Sequence, residues 1–392
     1  GYGRPRLEAD AGRLEAGGRT VRTIPSYLSL LSLSLLLGAC GSTGGTEPEP
    51  PPRFEGQEQR ISRSAAGSSE SARARVDCDG QYVYAVWEDA RNGLRDIYFN
   101  VSEDGGRTWR DDDIRLDTDL PGAFDSVAPV VCCSGRNVYV AWEDERNGQS
   151  DIYFNVSTDA GLSWLTDDRR LDPVPAGFSA SRDVHMDCSG GRVYVAWSDG
   201  RAGAGDVYGN SSDDAGTSWL INDVRIDTDL LGTANSTRPR VCATGSNAFI
   251  VWEDDRNGNL DVFLSRSLDG GLTWDDDDRR IDTATPNSSD ASRPRSCCDG
   301  ALVYVVWVDT RSGREQVRVN ASGDRGASGL LDDLSVTTDP DNRSSARNPE
   351  IDFVGSSVYV TWDDDRTGNR NIRLNQSLDG GTTWLADDVR ID

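Results

Sequence analysis

The stretch Val83-Tyr84-Ala85-Val86-Trp87 recurs along the chain with small changes, for example as Val358-Tyr359-Val360-Thr361-Trp362. Alternation of apolar and other side chains over such a stretch is typical of a β-strand. The tryptophan returns at a constant spacing of 55 residues, at Trp87, Trp142, Trp197, Trp252, Trp307 and Trp362. A fixed period without insertion or deletion indicates one supersecondary unit that is repeated six times.

Each unit continues with a turn, a second strand and a further motif. After the tryptophan comes Asp-x-Arg-x-Gly, written as Asp89, Arg91 and Gly93 in the first unit, and such a polar segment with glycine predicts a β-hairpin. Another strand then leads into Ser-x-Asp-x-Gly-x-Thr/Ser-Trp, which in the fifth unit keeps its Ser, Asp and Gly but has Gly329 in place of the tryptophan. The aspartates of this motif are Asp104, Asp159, Asp214, Asp269, Asp324 and Asp379.

This motif resembles the Asp-box, or bacterial neuraminidase repeat, and the likeness covers every unit from about residue 60 to the C-terminus. The resemblance implies a turn between the third and fourth strands of a propeller blade. In such a turn the Asp and Ser oxygens accept hydrogen bonds from backbone amides, and the tryptophan packs into the blade. Short side chains with an acceptor oxygen play this role in turns generally. The six aspartates are therefore expected to be structural.

A fourth strand is predicted after each motif. It ends at Arg115, Arg170, Arg225, Arg280 and Arg390, with Ser335-Val336 in its place in the fifth unit. Four strands per unit predict an all-β, six-bladed β-propeller of four-stranded antiparallel blades over residues 60–392. The Asp-box resemblance implies that this propeller is sialidase-like. Arg60-Ile61 lies 55 residues before Arg115 and is similar to a seventh outer strand. We expect it near the ring closure or over the last blade.

The composition excludes one class of partner. The chain contains no lysine, and its 41 arginines against 66 acidic residues give a net charge of −25. Such a surface repels nucleic acid. Most aspartates belong to the repeated turns, so even residues 275–278, four aspartates in a row, are interpreted as a solvated edge. No metal and no cofactor is expected.

Residues 1–39 are predicted to be a leader, since an apolar run at residues 27–37 follows arginines and is too short to span a bilayer. Leu37-Gly38-Ala39-Cys40 resembles a bacterial lipobox, which implies cleavage before Cys40 and lipid attachment to its sulfur. Residues 40–59 would then form a Gly- and Pro-rich tether. The expected location is the bacterial cell envelope, at the outer membrane or cell surface, with the membrane as a partner through the lipid. Ordinary secretion is the alternative.

Seven further cysteines stand nine or ten residues before a repeated tryptophan, so the two sets lie on opposite faces of the first strand. In an exported protein we expect disulfides between neighbouring blades. Two schemes are open, with buried, unbridged cysteines as the alternative to both. They are Cys78–Cys132 with Cys188–Cys242, or Cys132–Cys188 with Cys242–Cys298.

The sixfold pattern breaks on the first, innermost strand of each unit. Twelve residues before each tryptophan stand Arg75, Val130, His185, Arg240, Arg295 and Glu350. Fourteen residues before it stand Arg73, Ala128, Asp183, Arg238, Arg293 and Asn348. Alternation predicts that both rows occupy one strand face. That face would line the central channel of the propeller.

The arginines of the first row resemble those of the sialidases, in which three arginines on inner strands clamp a substrate carboxylate. Carried over by position, the triad is Arg75, Arg240 and Arg295; a guanidinium group suits this task because it is planar, charged and bidentate. The family also implies a tyrosine nucleophile with a glutamate partner and an aspartate acid/base. Here Tyr82 is the only tyrosine of the repeats outside a repeated strand position, and Glu350 occupies the sixth inner strand.

Two functions remain open. The first is a non-catalytic, envelope-anchored module that binds an acidic glycan or another envelope protein. The second is an exo-α-sialidase, a glycoside hydrolase, with Glu350, Asp183 or His185 as candidate catalytic groups. The unbroken spacing leaves no room for long catalytic loops and favours binding. Neutralisation of the arginines by Asp77, Asp187, Asp352 or Glu350 in a structural channel is the alternative to a ligand site.

Overall fold

The computed structural model describes residues 59–329, 332–339 and 343–392. The predicted leader, Cys40 and nearly all of the tether lie outside these residues. No helix in the described part of the chain is long and apolar enough to cross a membrane.

The described residues form 24 strands in six four-stranded antiparallel sheets, each made of four consecutive strands. Blade 1 contains β1 (Ser71–Asp79), β2 (Tyr82–Asp89), β3 (Asp96–Ser102) and β4 (Ile114–Arg115). Blade 2 contains β5 (Ser126–Ser134), β6 (Asn137–Asp144), β7 (Asp151–Ser157) and β8 (Arg169–Arg170). Blade 3 contains β9 (Ser181–Ser189), β10 (Arg192–Asp199), β11 (Asp206–Ser212) and β12 (Val224–Arg225).

Blade 4 contains β13 (Ser236–Thr244), β14 (Asn247–Asp254), β15 (Asp261–Ser267) and β16 (Arg279–Arg280). Blade 5 contains β17 (Ala291–Asp299), β18 (Leu302–Asp309), β19 (Gln316–Ser322) and β20 (Leu334–Ser335). Blade 6 contains β21 (Ala346–Val354), β22 (Ser357–Asp364), β23 (Asn371–Ser377) and β24 (Val389–Arg390). The prediction of six four-stranded antiparallel blades is confirmed, and the fourth strand of each is only two residues long.

Five of the six repeated tryptophans, all except Trp87, pack against the preceding blade. Trp142 of blade 2 packs in one apolar cluster with Phe99 of blade 1, and Trp197 packs in the same way with Phe154 of blade 2. All six are buried, from 0% exposed at Trp142 to 4% at Trp87, as predicted. Burial of an indole removes about 150–250 Å² from water and contributes roughly 4–6 kcal/mol of transfer free energy. Packing of the five tryptophans other than Trp87 therefore stabilises the contacts between neighbouring blades.

The turns between third and fourth strands have one hydrogen-bond pattern in all six blades. In blade 1 the Gly106 N–H donates to Ser102 Oγ at 2.7 Å, and the Thr108 N–H donates to Asp104 Oδ1 at 2.8 Å. The other five turns repeat both bonds, including the fifth turn, which lacks the tryptophan. The backbone and hydroxyl bonds from Thr108 lower the pKa of Asp104 to about 2. These aspartates carry out the structural task expected of them.

Residues 59–70 form no strand and lie over the first blade rather than the last. Ile61 packs against Trp87 and Tyr98, and the Arg63 N–H donates to Asp113 Oδ2 at 2.8 Å. The Thr118 N–H makes the same bond to Asp168 of blade 2. The segment is therefore equivalent to the residues that follow the fourth strand of a blade. Those residues pack on the next blade along the chain. The expectation of a place over the last blade is wrong for this reason.

Two disulfides, Cys132–Cys188 and Cys242–Cys298, join neighbouring blades, with Cα atoms 6.0 and 5.9 Å apart. Of the two schemes, the structure has the second. The candidate bridge Cys78–Cys132 is not formed, because the residue ten before the tryptophan faces the next blade, and Cys132 is bonded to Cys188 there. The Asp77 carboxylate occupies the equivalent position in blade 1 and accepts the Cys133 N–H at 2.6 Å.

Candidate functional site

A β-bulge interrupts the first strand of every blade. In β1 the pairing register shifts between Ala72 and Arg75. The residue fourteen before the tryptophan takes a positive φ in all six blades, between 47° and 57°. The bulge adds a residue between the two rows, so simple alternation does not describe the strand there, yet the Asp183 charge still acts on the pKa of Arg240. The Arg238 guanidinium lies 2.7 Å from Glu253 Oε1, and Arg73 lies 3.6 Å from Glu88, so these arginines are already paired.

The bulges are held by the preceding blade. The backbone N–H groups of Ala128, Asp183 and Arg293 donate to carboxylates on the second strands of blades 1, 2 and 4, at 2.7–3.0 Å. Left-handed backbone at non-glycine residues is costly and persists where the surroundings fix it. Each bulge therefore fixes the position, along its strand, of the residue that stands twelve before the tryptophan.

That row forms the inner-strand cluster, which we define as Arg75, His185, Arg240, Arg295 and Glu350. The structure brings these residues of five repeats close enough to act on one another. The charges of Arg240, Arg295 and Arg75 all depress the pKa of His185. Arg295, Arg75 and Glu350 in turn act on the pKa of Arg240. The charges of all three arginines thus act on His185, and those of Arg295 and Arg75 act on Arg240.

Two of the three guanidinium groups have no acidic partner. Arg295 Nε lies 3.0 Å from Glu350 Oε1. Arg75 donates to the Ala74 carbonyl at 3.1 Å and Arg240 to the Pro239 carbonyl at 2.8 Å. Within the described ranges neither of these two arginines forms an ion pair. Among the three arginines, only Arg295 forms an ion pair with one of the proposed neutralising acids within the described residues.

The other acids proposed as partners are used elsewhere. Asp187 accepts the Ala243 N–H of the next blade at 2.7 Å, as Asp77 does with Cys133. Asp352 accepts the N–H of the following residue, Phe353, at 2.8 Å. These acids lie on the same strand face as the cluster, two residues further along each strand, where that face meets the backbone of the neighbouring blade. The arginines of the cluster consequently keep a surplus of positive charge.

Arg240 carries the clearest sign of that surplus. Burial, followed by the charge of Arg295, lowers its pKa to about 9, although Asp183 and Glu350 act in the opposite direction. The guanidinium remains protonated at neutral pH. A bound anion would offset both the burial and the repulsion.

His185 is fixed as a neutral hydrogen-bond donor. The Val241 N–H of blade 4 donates to its Nδ1 at 3.1 Å, so the ring proton lies on Nε2. Burial and the three arginines hold the pKa of His185 well below its ordinary value. With Nδ1 occupied and Nε2 protonated, His185 can donate to a ligand but has no free lone pair for general-base work.

An acidic pair stands beside the cluster, and sequence reasoning missed one member. Asp183 is half-buried, and its N–H donates to Glu143 Oε1 at 2.7 Å. Burial, with the nearby Asp183 charge, raises the pKa of Glu143 to about 7. The only available signal was that blades 1, 2 and 4 place glutamate directly after the tryptophan. Sequence alone does not show that its carboxylate reaches the next blade.

The tyrosine nucleophile that the resemblance implies has no counterpart at the described cluster. Tyr82 pairs with Asp79 at the hairpin end of β1, four residues beyond Arg75 in the register. Four residues of strand span roughly 13 Å. The repeated tyrosine Tyr84 is 0% exposed, between the blades. Of the catalytic candidates, Glu350 is exposed and bonded to Arg295, and Asp183 is the one next to a second carboxylate.

Comparisons with known proteins support the fold. No protein-family model matches the chain, and no curated protein sequence matches it. Among solved structures, a polysaccharide lyase described as an ulvan lyase bound to -[GlcA(1-4)Rha3S]- matches with a TM-score of 0.54 and 11% identity, over 80% of this chain and 81% of the lyase. This is a similarity of fold.

Sialidases match with lower scores. The Trypanosoma rangeli sialidase has a TM-score of 0.48 and 13% identity over 80% of this chain and 56% of its own. The Streptococcus pneumoniae NanB sialidase has a TM-score of 0.49 and 11% identity over 78% of this chain and 67% of its own. A Hadza microbial sialidase is matched over 63% of its length at a TM-score of 0.47 and 15% identity. The chain thus spans about half to two thirds of these sialidases.

Proposed function

We propose that the protein binds an anionic glycan, without cleaving it, through a carboxylate held at the inner-strand cluster. One observation carries this proposal: Arg75 and Arg240 lack acidic partners although each lies near the other arginines. Grouped, unpaired guanidinium charges repel one another and favour a bound anion. In a protein of net charge −25, arginines without a function would more simply be neutralised.

The expected ligand has a planar carboxylate and a neighbouring oxygen. A carboxylate accepts two hydrogen bonds from a guanidinium group in one plane. The Nε2–H of His185 adds a neutral donor for a hydroxyl or ring oxygen. The lyase of similar fold is described with a GlcA-containing oligosaccharide, which also carries a carboxylate. Acidic sugars of the uronate and sialate type satisfy these requirements.

Calorimetric titration of the purified protein with glucuronic acid and N-acetylneuraminic acid tests the proposal, with neutral N-acetylglucosamine as the reference sugar. Arg240→Ala should weaken binding by about 1.5–3 kcal/mol, the range for charge-assisted hydrogen bonds. Arg107→Ala removes an exposed arginine of a blade 1 turn and should leave binding unchanged. Equal binding of the neutral sugar, or equal loss in both variants, would refute the carboxylate site.

A second candidate is hydrolysis of the exo-α-sialidase type. The observation that favours it is the Asp183–Glu143 pair, because a carboxyl group with a pKa of about 7 can exchange protons near neutral pH. A fluorogenic sialoside separates the two functions. The binding proposal predicts no release of the fluorophore, whereas turnover that Asp183→Asn abolishes would establish the hydrolase.

We also propose that a lipid on Cys40 anchors the protein to the cell envelope, as a surface lipoprotein. The support is the lipobox-like sequence before Cys40 and the Gly- and Pro-rich sequence that follows it. The glycan site would then face ligands or envelope proteins outside the cell.

A further inference from the structure

Blade 3 departs from the other blades at the turn between its second and third strands. In blades 1, 2 and 4 an asparagine follows the repeated arginine, and its amide donates to the first aspartate of the third strand. In blade 1 Asn92 Nδ2 lies 2.6 Å from Asp96 Oδ2 and 2.7 Å from the Tyr98 hydroxyl. In blade 3 this position is Ala202. The amide is therefore missing above Asp206 and Tyr208.

The loss leaves a buried carboxylate oxygen without a donor. Asp206 is 0% exposed, and its Oδ2 has no hydrogen-bond partner. The backbone has not moved to compensate. A Cβ built on Gly122 would lie 2.2 Å from the Asn92 carbonyl, and one on Gly232 would lie 2.3 Å from the Ala202 carbonyl. The two backbone segments are therefore equally close in blades 1 and 3, although blade 3 lacks the asparagine side chain.

Two more carboxylates lie beside this oxygen. Asp206, Asp227 and Asp229 each place one oxygen within 4.8 Å of the others. The Oδ2 atom of Asp229 is also buried without a hydrogen-bond partner.

Blades 2 and 4 lack the third acid, since Val174 and Ala284 replace it. Blade 5 has Asp339 as the third acid and Ser312 in place of the asparagine, but Gln316 and Thr337 replace its other two acids. Blade 3 alone combines all three acids with the missing asparagine.

Arg225 neutralises only part of this charge. It lies 2.9 Å from Asp206 Oδ1 and 2.8 Å from Asp227 Oδ1, and it also contacts Asp229 Oδ1. Three carboxylates and one guanidinium group leave a formal charge of −2, with Oδ2 of Asp206 and of Asp229 unused.

We propose that Asp206, Asp227 and Asp229 bind a calcium ion, which takes the place that the asparagine amide has in blades 1, 2 and 4. A divalent cation balances the remaining charge. Calcium prefers carboxylate and other oxygen ligands and accepts irregular geometry. The site is separate from the inner-strand cluster, and the sequence analysis expected no metal.

Blade 1 provides the internal comparison. Asp96, Asp117 and Asp119 form the same acidic group, but Asn92 occupies the space, and Asp117 Oδ1 accepts the Ile97 N–H at 2.7 Å. No carboxylate oxygen of these three is buried without a partner. The arrangement in blade 1 is therefore complete without a cation.

The test is calorimetric titration of the chelator-treated, full-length protein with CaCl2, together with thermal unfolding in CaCl2, MgCl2 and EDTA. The wild type should bind calcium at a single class of site, with an unfolding midpoint that rises until the site is saturated. Ala202→Asn supplies the missing amide and should abolish this rise, while the EDTA midpoint stays level or increases. Asp229→Ala should weaken calcium binding by at least about tenfold.

Asn92→Ala in blade 1 is the matched variant, because it recreates the blade 3 arrangement. It should add a second calcium-dependent rise. No calcium binding by the stripped wild type would overturn the proposal. Binding that both Ala202→Asn and Asp229→Ala leave intact would also overturn it, and so would an equal response to magnesium.

Discussion

At the residue scale, His185 determines how the fold responds to acid. It is the only histidine of the chain, and its pKa lies well below the ordinary value when the protein is folded. In the unfolded chain it takes up a proton near pH 6.5, roughly the value for an unperturbed imidazole. Below that pH the unfolded state binds one proton more than the folded state does, so stability falls as the pH decreases.

We therefore expect His185→Gln to remove part of the acid sensitivity. The wild type should lose up to about 1.4 kcal/mol per pH unit relative to the variant once the pH drops below about 6.5. Buried carboxyl groups with raised pKa values, such as Asp187 and Asp172 at about 7, act in the opposite sense but are common to both proteins. Urea unfolding between about pH 5 and 8 measures the difference. Parallel curves would contradict the burial of a neutral imidazole.

The residues of the cluster could be predicted from the sequence, whereas their partners could not. Arg75, Arg240 and Arg295 stand out because they break an otherwise regular repeat. The bulge at Arg73 and its counterparts is invisible in the sequence, since it puts arginine and asparagine in a backbone region that usually favours glycine. Interactions between blades, such as Val241 with His185, depend on register between two sheets. Spacing within one repeat does not determine that register.

At the scale of elements, contacts between neighbouring first strands alternate along the chain between disulfides and carboxylates. Cys132–Cys188 joins blades 2 and 3, and Cys242–Cys298 joins blades 4 and 5. Asp77 and Asp187 make the corresponding contacts from blade 1 to 2 and from blade 3 to 4. The sequence predicted on which face of the first strand each cysteine lies, but it left two disulfide schemes open. Choosing between them needs the direction in which successive blades follow one another.

Removal of one bridge should measure its contribution. Each disulfide spans 56 residues, and a loop of this length corresponds to about 4 kcal/mol of chain entropy. Cys132→Ser with Cys188→Ser should lose up to that amount in denaturant unfolding, whereas Cys297→Ser, at an unbridged cysteine, should lose much less. Peptide mapping without reduction checks the pairing itself. A Cys78–Cys132 peptide would contradict the arrangement of the blades.

At the scale of the whole molecule, the repeat predicts the fold more completely than the function. A constant period of 55 residues fixes strand number, blade number and the buried tryptophans together. The candidate functional groups, such as His185 and Glu350, stand where the residue type differs between equivalent positions of the repeat. Ala202, in contrast, has no distinctive side chain, so its effect on Asp206 appears only once the blades are superimposed as structures.

The predicted anchor is tested at this scale. Cys40→Ser removes the thiol that would accept the lipid, so the variant should leave the membrane fraction and keep the mass of an unlipidated chain. Fractionation followed by intact-mass measurement compares it with the wild type. A variant that stays in the membrane fraction with unchanged mass would show that Cys40 is not the attachment site.

The central claim is that unpaired arginines of the inner strands hold a carboxylate. The most direct measurement is a crystal structure of the protein with whichever of glucuronic acid and N-acetylneuraminic acid binds more tightly. The account predicts carboxylate oxygens about 2.7–2.9 Å from guanidinium nitrogens of Arg75 and Arg240, with Arg295 still beside Glu350. A ligand bound away from these arginines, or Arg75 and Arg240 both paired with protein carboxylates, would contradict it.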